Sequence, residues 1–325
     1  MSKKILLIPD ARPENGFGHI SRCLTLGKSL RRIGAQPWLF LPYDVPAIRT
    51  NNRSLAIVLG RDPIAIARRN SVNHVILDGY GFPKQYARSL TALHIPVSVI
   101  DDMGLPYLPL NLIVNPNMHA TKSLYRNKSL LGPRYAFLRN EILVARSNRK
   151  IANIVKHVIV CMGGSDPNWA TRDVVSVLHR VAKEADLKVT IILGPRTTQE
   201  LHQVIMDDLG TTFFQYELLI APRNFANILA SADLAIVSGG VVLTESLYLG
   251  IPSLAIILAD NQTEGVAAWC KAGAAISTPP EQEAIEIGLL SLLNSAPLRN
   301  KLARQAGKLI DGHGASRVAK KILKR

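Results

Sequence analysis

Short apolar runs, many of them β-branched, alternate with helical patterns along this chain, and that alternation leaves few folds open. The runs Ile5–Ile8, Trp38–Leu41, His74–Leu77, Val97–Ile100 and Leu112–Val114 read as strands. Five more follow at His157–Cys161, Val189–Leu193, Leu234–Val237, Leu254–Leu258 and Ala274–Ile276. Between most of them lie apolar residues at helical spacing, such as Ile20, Cys23, Leu24, Gly27 and Leu30. Strands alternating with helices make βαβ units, hence parallel sheets with right-handed crossovers. Ten strands divide into two groups of five, with the polar, basic stretch Arg134–Lys150 as the linker. The expected fold is α/β, with two doubly wound Rossmann-like domains facing across a cleft. One spans residues 1–140 and the other 151–325, the last helix being free to pack back on the first. A chain of 325 residues is long enough for two separate cores.

Composition removes several function classes. The opening run Ile5–Ile8 stops at Pro9-Asp10, and no later run approaches the ~20 apolar residues of a membrane span. A soluble, cytoplasmic chain is expected. The three cysteines, Cys23, Cys161 and Cys270, lack any C-x-x-C spacing, and the eight histidines form no H-x-x-x-H pair. No disulfide framework, metal site or cofactor is therefore expected. The formal charge of +15 favours an anionic partner. Nucleic acid is not expected, because no binding motif is present and aromatics are only 6%. The segment Arg317 to Arg325 reads as a basic amphipathic helix with a solvated face, and weak membrane-surface contact through basic patches is the second reading. A monomer is expected.

In open parallel sheets, ligands bind beyond the carboxyl ends of the strands, where loops enter helix N-termini. Three such loops are unusual here. After the first strand, Asp10 leads through Gly16 and Gly18 to His19, in the first turn of a helix ended by Gly34. The glycines permit a tight turn and close ligand approach. The helix dipole disfavours an imidazolium at this place, so His19 is expected to be neutral, open to the ligand and able to accept a proton. Its structural alternative is a histidine packed at a helix start. A dinucleotide fingerprint is not met, because Ser21 stands where the third glycine belongs.

The other two loops lie in the second half. Gly163, Gly164 and Ser165 follow the strand ending at Cys161, with Asp166 or Asn168 placed to cap the next helix. The turn Gly239-Gly240 opens a helix whose amides at Val241 and Val242 aim at an incoming phosphate. Glu245, one turn further, is placed to accept both hydroxyls of a ribose. Finally, Asn261 and Gln262 begin a helix after the strand Leu254–Leu258; a helix cap is the structural alternative for Asn261.

The motifs G-F-G-H-I-S-R-C, D-G-Y-G, L-L-G-P-R-Y-A-F-L-R-N-E, C-M-G-G-S-D-P and A-D-N-Q-T-E together resemble those of the UDP-sugar hydrolases of the pseudaminic acid pathway. The resemblance runs from Ile5 to about Ala275, and both halves more distantly resemble the glycosyltransferase B-fold class. It implies hydrolysis of a UDP-activated 2,4-diacetamido-2,4,6-trideoxy sugar to free sugar and UDP. It further implies His19 as the base, Tyr80 and Asn261 as the other active-site positions, and a UDP site around Gly240–Val242 with Glu245. The first domain then carries the sugar and the base, the second the nucleotide. Two departures stand out. Many relatives carry His at the position of Gly79, and Ser-Thr or Ser-Ser at that of Val241-Val242. Loss of one hydroxyl hydrogen bond costs about 1 kcal/mol.

Glycosidases need two carboxylates because an alkoxide must be protonated as it leaves. UDP leaves as a stabilised anion, so one base on the opposite face of the sugar is enough, and inversion at the anomeric carbon follows. The rival reading is a glycosyltransferase in which His19 deprotonates an acceptor hydroxyl. A non-catalytic sugar-nucleotide sensor is the third.

Overall fold

The computed structural model describes residues 2–12, 18–44, 55–79, 82, 84–102, 104, 110–125, 128–147, 150–164, 166, 168–182, 186–210, 212 and 214–324. Two compact units emerge: residues 1–140 with 312–325, and residues 141–311.

In the first unit, seven strands form one parallel sheet: β1 (Lys4–Pro9), β2 (Gln36–Leu41), β3 (Ala56–Leu59), β4 (His74–Asp78), β5 (Val97–Ile100), β6 (Leu112–Asn115) and β7 (Ser129–Leu131). Their order is β3-β2-β1-β4-β5-β6-β7. Strand β1 is apolar at every inner position because both faces are covered, as parallel sheets require. Ile5 and Leu7 join one core cluster, while Leu6 and Ile8 join the cluster on the opposite face. The helix Gly18–Arg32 lies on the first face and buries Ile20, Cys23, Leu26 and Leu30. Its end is set by Gly34, whose φ of +89° suits glycine. The final helix, Gly314–Leu323, adds Ala315, Val318, Ala319 and Ile322 to the same cluster. Gly314 makes that packing close: a Cβ there would stand 2.2 Å from the Ala136 carbonyl oxygen.

The second unit holds a six-stranded parallel sheet of β8 (His157–Cys161), β9 (Lys188–Leu193), β10 (Gln215–Ile220), β11 (Leu234–Ser238), β12 (Ser253–Ile256) and β13 (Ile276–Thr278). Its order is β10-β9-β8-β11-β12-β13, and its core gathers Val158, Val160, Ile191, Ile236, Leu254 and Leu289 among others.

Three strands, β3, β7 and β10, go beyond the ten expected, and the last strand begins at Ile276, where Ala274 was expected. Gly273, with φ +67°, and the buried Ala274 and Ala275 form the turn before it. Much of the expected linker is also structured. Pro133–Tyr135 forms a 3-10 turn, Ala136, Phe137 and Leu138 are buried, and Asn140–Ala145 is helical.

Both sheets change winding direction at one place. In the first, β1 has β2 on one side and β4 on the other; in the second, β8 stands between β9 and β11. Such switch points open a crevice at the carboxyl ends of the two central strands.

Candidate functional site

At the first switch point, Pro9 pairs with Asp78 in register, and the Asp10 amide donates to the Asp78 carbonyl at 2.7 Å. His19 is the second residue of the helix that follows β1, which brings its ring to the end of β4. Its Nδ1 lies 2.8 Å from Asp78 Oδ1. Asp78 is wholly buried, and two further groups bind it: Arg22 NH2 donates to Oδ1 at 2.5 Å and Arg22 Nε to Oδ2 at 3.1 Å. Arg22 also reaches Asp102, its NH1 lying 2.8 Å from each carboxylate oxygen. Asn117 Nδ2 donates to Asp102 Oδ1 at 2.8 Å.

The electrostatics follow from burial and pairing. Burial opposes a charged Arg22, yet Asp102 and Asp78 together hold its pKa well above the ordinary arginine value. Burial also opposes the Asp102 carboxylate, and Arg22 outweighs it, so that pKa is lowered. Cys23, at 3.9 Å from Asp78 Oδ2, is pushed up by burial and by that carboxylate, so it is a thiol at neutral pH.

The neighbouring polar groups are also paired. Asp10 is 6% exposed and takes a two-point contact from Arg12, Nε at 2.9 Å and NH2 at 2.6 Å. Tyr125 donates to Asp101 at 2.6 Å, and burial with that contact raises its pKa.

One expectation is overturned here. The sequence suggested an imidazole open to the ligand, whereas His19 is 4% exposed, its Nδ1 edge turned into the cluster of Asp78 and Arg22. Asp78, Arg22 and Asp102 were not singled out from sequence. A signal was present, because His19, Arg22 and Cys23 stand three and four residues apart and so share one helix face. Gly16 and Tyr80 lie outside the described residues. Around Gly18 there is room: among the described residues, an added Cβ would meet nothing within 4 Å.

At the second switch point the two glycine loops differ. Gly163 has φ +92°, and the backbone of Gly194 approaches so closely that a Cβ there would stand 2.3 Å from the Gly163 carbonyl oxygen. The helix Ala170–Val181 then begins with its amides already occupied. Trp169 holds the cap position, and Asp166, three residues before it, accepts from Ala170 N at 2.9 Å and Thr171 N at 2.7 Å. Ser165 lies outside the described residues. By contrast, the helix Val241–Tyr248 has Gly240 at its cap position and no side-chain cap bond, and Val241 is 38% exposed. Gly239, at the end of β11, lies close against the helix Asp260–Lys271: a Cβ there would stand 2.4 Å from Val266 Cγ2.

Glu245 is fully buried, beside the buried Ser246 and Leu247. The sequence placed this carboxylate at a ribose; the structure buries it one turn inside the helix Val241–Tyr248. Asn261 is exposed and is the second residue of the helix Asp260–Lys271, whose cap position is Ala259, so it is not the cap. Gln262 Oε1 accepts from Leu258 N at 3.0 Å and fixes the loop after β12.

Two doubly wound parallel sheets of this kind define the glycosyltransferase B-type fold, and solved structures bear out that class. MurG of Acinetobacter baumannii matches with a TM-score of 0.72 at 14% identity, covering 100% of both chains. The UDP-GlcNAc 2-epimerase of Neisseria meningitidis, solved with UDP-GlcNAc bound, matches at 0.73 and 12%, covering 99% of this chain and 100% of that one. No protein-family model matches the chain.

Among curated proteins the chain is distantly homologous to three. The uncharacterized protein MJ1062 of Methanocaldococcus jannaschii is 26% identical over 286 residues, 80% of this chain and 56% of that protein. The spore coat polysaccharide biosynthesis protein SpsG of Bacillus subtilis is 26% identical over 191 residues, 58% of this chain and 56% of SpsG. The UDP-2,4-diacetamido-2,4,6-trideoxy-beta-L-altropyranose hydrolase of Campylobacter jejuni is 24% identical over 280 residues, 82% of this chain and 95% of that enzyme. The chain thus spans about half the length of the first two relatives and nearly all of the third.

Proposed function

We propose that the chain is an enzyme acting on a UDP-activated sugar, and that it hydrolyses a UDP-2,4-diacetamido-2,4,6-trideoxy sugar to UDP and free sugar. The carrying observation is the fixed imidazole: His19 held by Asp78 at the switch point of the first sheet. The nearly full-length likeness to the Campylobacter hydrolase supports the choice of reaction.

In this reading the second unit binds UDP. The uncapped start of the helix Val241–Tyr248 gives its amides to the diphosphate, where charge builds up as the bond breaks. Helix Ala170–Val181 is not used in that way, because Asp166 already takes its first amides. The first unit supplies the base. A water oxygen attacks the anomeric carbon while the bond from that carbon to the UDP oxygen breaks, and the electron pair leaves with UDP. The water's proton passes to His19 Nε2 and then to solvent. Attack opposite the leaving group inverts the anomeric centre. His19 is 4% exposed, so the step requires its Nε2 edge to come within reach of that water.

Asn261, exposed at its helix start, is assigned to the sugar, and Tyr80, Asp10, Gly18 and Gly163–Gly164 to the surroundings of the ligand. The reaction draws on no cofactor or metal, and the protein acts as a cytoplasmic monomer. A UDP-sugar glycosyltransferase is the second reading, supported by the fold shared with a solved glycosyltransferase of Rickettsia africae (TM-score 0.65, 14% identity, 100% of this chain and 99% of that one).

The test is His19→Ala. The account expects UDP affinity by calorimetry to stay within about twofold and turnover to fall by at least about 100-fold, the lower end of general-base contributions. Unchanged turnover removes the base assignment.

A further inference from the structure

The carboxyl end of the helix Val241–Tyr248 borders a cavity of about 280 Å³ in the second unit. We propose that this cavity is an anion site, in which Arg146 and Arg304 receive the phosphate of a small phosphomonoester. It stands apart from the helix start assigned above to the diphosphate: 8 residues, at a rise of about 1.5 Å each, separate the two by about 12 Å. Binding here does not depend on which reaction the enzyme performs.

The sequence of one helix places half of the site. The helix Ala296–Leu309 buries Arg299, Leu302 and Ala306 on one side. Asn300, Ala303, Arg304 and Gly307 stand three and four residues apart, so they share a second stripe, and that stripe lines the cavity. Arg146 comes from the segment just after the short helix Asn140–Ala145, and its guanidinium carbon lies 4.5 Å from the centre of the Tyr248 ring. Tyr248 is buried, so the stacked guanidinium is held in place before any anion arrives. Gly307 keeps the space beside it open: among the described residues, an added Cβ would meet only Arg146 NH2, at 4.0 Å.

Charge and size then select the ligand. No carboxylate lines the cavity, and among the described residues neither guanidinium makes an ion pair or a hydrogen bond. Nor are they spent on capping the helix end. The amides of Leu249, Gly250 and Ile251 already donate to the carbonyls of Glu245, Leu247 and Ser246, with Gly250 at φ +74° making the turn. Two unpaired cations match a phosphomonoester, whose charge at neutral pH is about −1.5 to −2. Guanidinium forks also suit its oxygens. Ser147 adds a hydroxyl, while Ile151, Leu249 and Ala303 supply apolar wall. The volume is close to the lower end of small-molecule sites, about 300 Å³, which suits a small ester rather than a nucleotide.

The test is titration calorimetry of the full-length protein with glycerol 3-phosphate. Binding is expected, and it should persist with UDP at saturation. Arg146→Gln and Arg304→Gln should each weaken it by about tenfold or more, as loss of a charged hydrogen-bond donor does. Gly307→Glu should abolish it, because a tethered carboxylate then occupies the space beside Arg146. That variant replaces a helical glycine with a better helix former, so its melting temperature should not fall and lost binding is not unfolding. Should it fall, the two arginine variants still decide. No binding to the unmutated protein, displacement by UDP, or unchanged affinity in all three variants overturns the site. Attachment to phosphatidic acid vesicles without binding of glycerol 3-phosphate overturns the assignment to a soluble ester.

Discussion

A methyl group added at Gly79 would have no room. The residue follows Asp78 directly, its φ is +150°, and an ideal Cβ would stand 2.2 Å from Asp10 Cβ. Asp10 gives way only if β1 moves, since its amide is bonded to the Asp78 carbonyl. Gly79→Ala should therefore pry apart the ends of β1 and β4, costing about 1–3 kcal/mol in urea denaturation. Turnover should fall as His19 loses its register with Asp78, while UDP affinity, assigned to the other unit, stays the same. A variant as stable and active as the parent would contradict this reading of the position. At this scale His19 was legible because a glycine-flanked histidine at a strand-to-helix loop is a local signal. Its partners were not, because Asp78 and Asp102 meet Arg22 from 56 and 80 residues away. Nor was enclosure legible: loop position alone implied that His19 and Glu245 faced outward, whereas tertiary packing turned both inward.

Interior strands were readable for a physical reason that does not extend to edges. β1, β4, β5 and β8 are covered on both faces and so appear as unbroken apolar runs. β10, at a sheet edge, has the sequence QYELLI with no residue fully buried, and β3 and β7 are short and half-covered. A helix can also be tied down by a residue with no periodic signature. Arg299, in the helix Ala296–Leu309, is wholly buried and donates to four carbonyls: Leu292 at 2.5 Å, Leu293 at 2.9 Å, and Ala152 and Asn153 at 2.7 Å each. It thereby closes the carboxyl end of the helix Gln282–Leu293 and fastens the segment before β8 to it. Arg299→Met keeps the bulk but strands those acceptors, each worth about 1–3 kcal/mol when left buried and unpaired. The second unit should lose about 3 kcal/mol or more, read as a lower urea midpoint; an unmoved midpoint would contradict the role given to this side chain.

Over the whole molecule, two units repeat one arrangement: a parallel sheet whose winding reverses beside a glycine-bearing loop. That much followed from strand alternation and chain length. The division of labour proposed for them assigns the nucleotide to one and the base to the other. Among the described residues no helix is long and apolar enough to cross a membrane. The formal charge of +15 suits a ligand that carries a diphosphate. The central claim is that water, not an acceptor sugar, takes the glycosyl group by attack at carbon. The direct measurement is a short incubation of the protein with the UDP-diacetamido-trideoxy sugar in ¹⁸O-water without acceptor, followed by mass spectrometry of UDP. UDP is the product to read, because a free sugar exchanges its anomeric oxygen with water. The account predicts UDP released and unlabelled; labelled UDP, or no UDP until an acceptor is added, would contradict it.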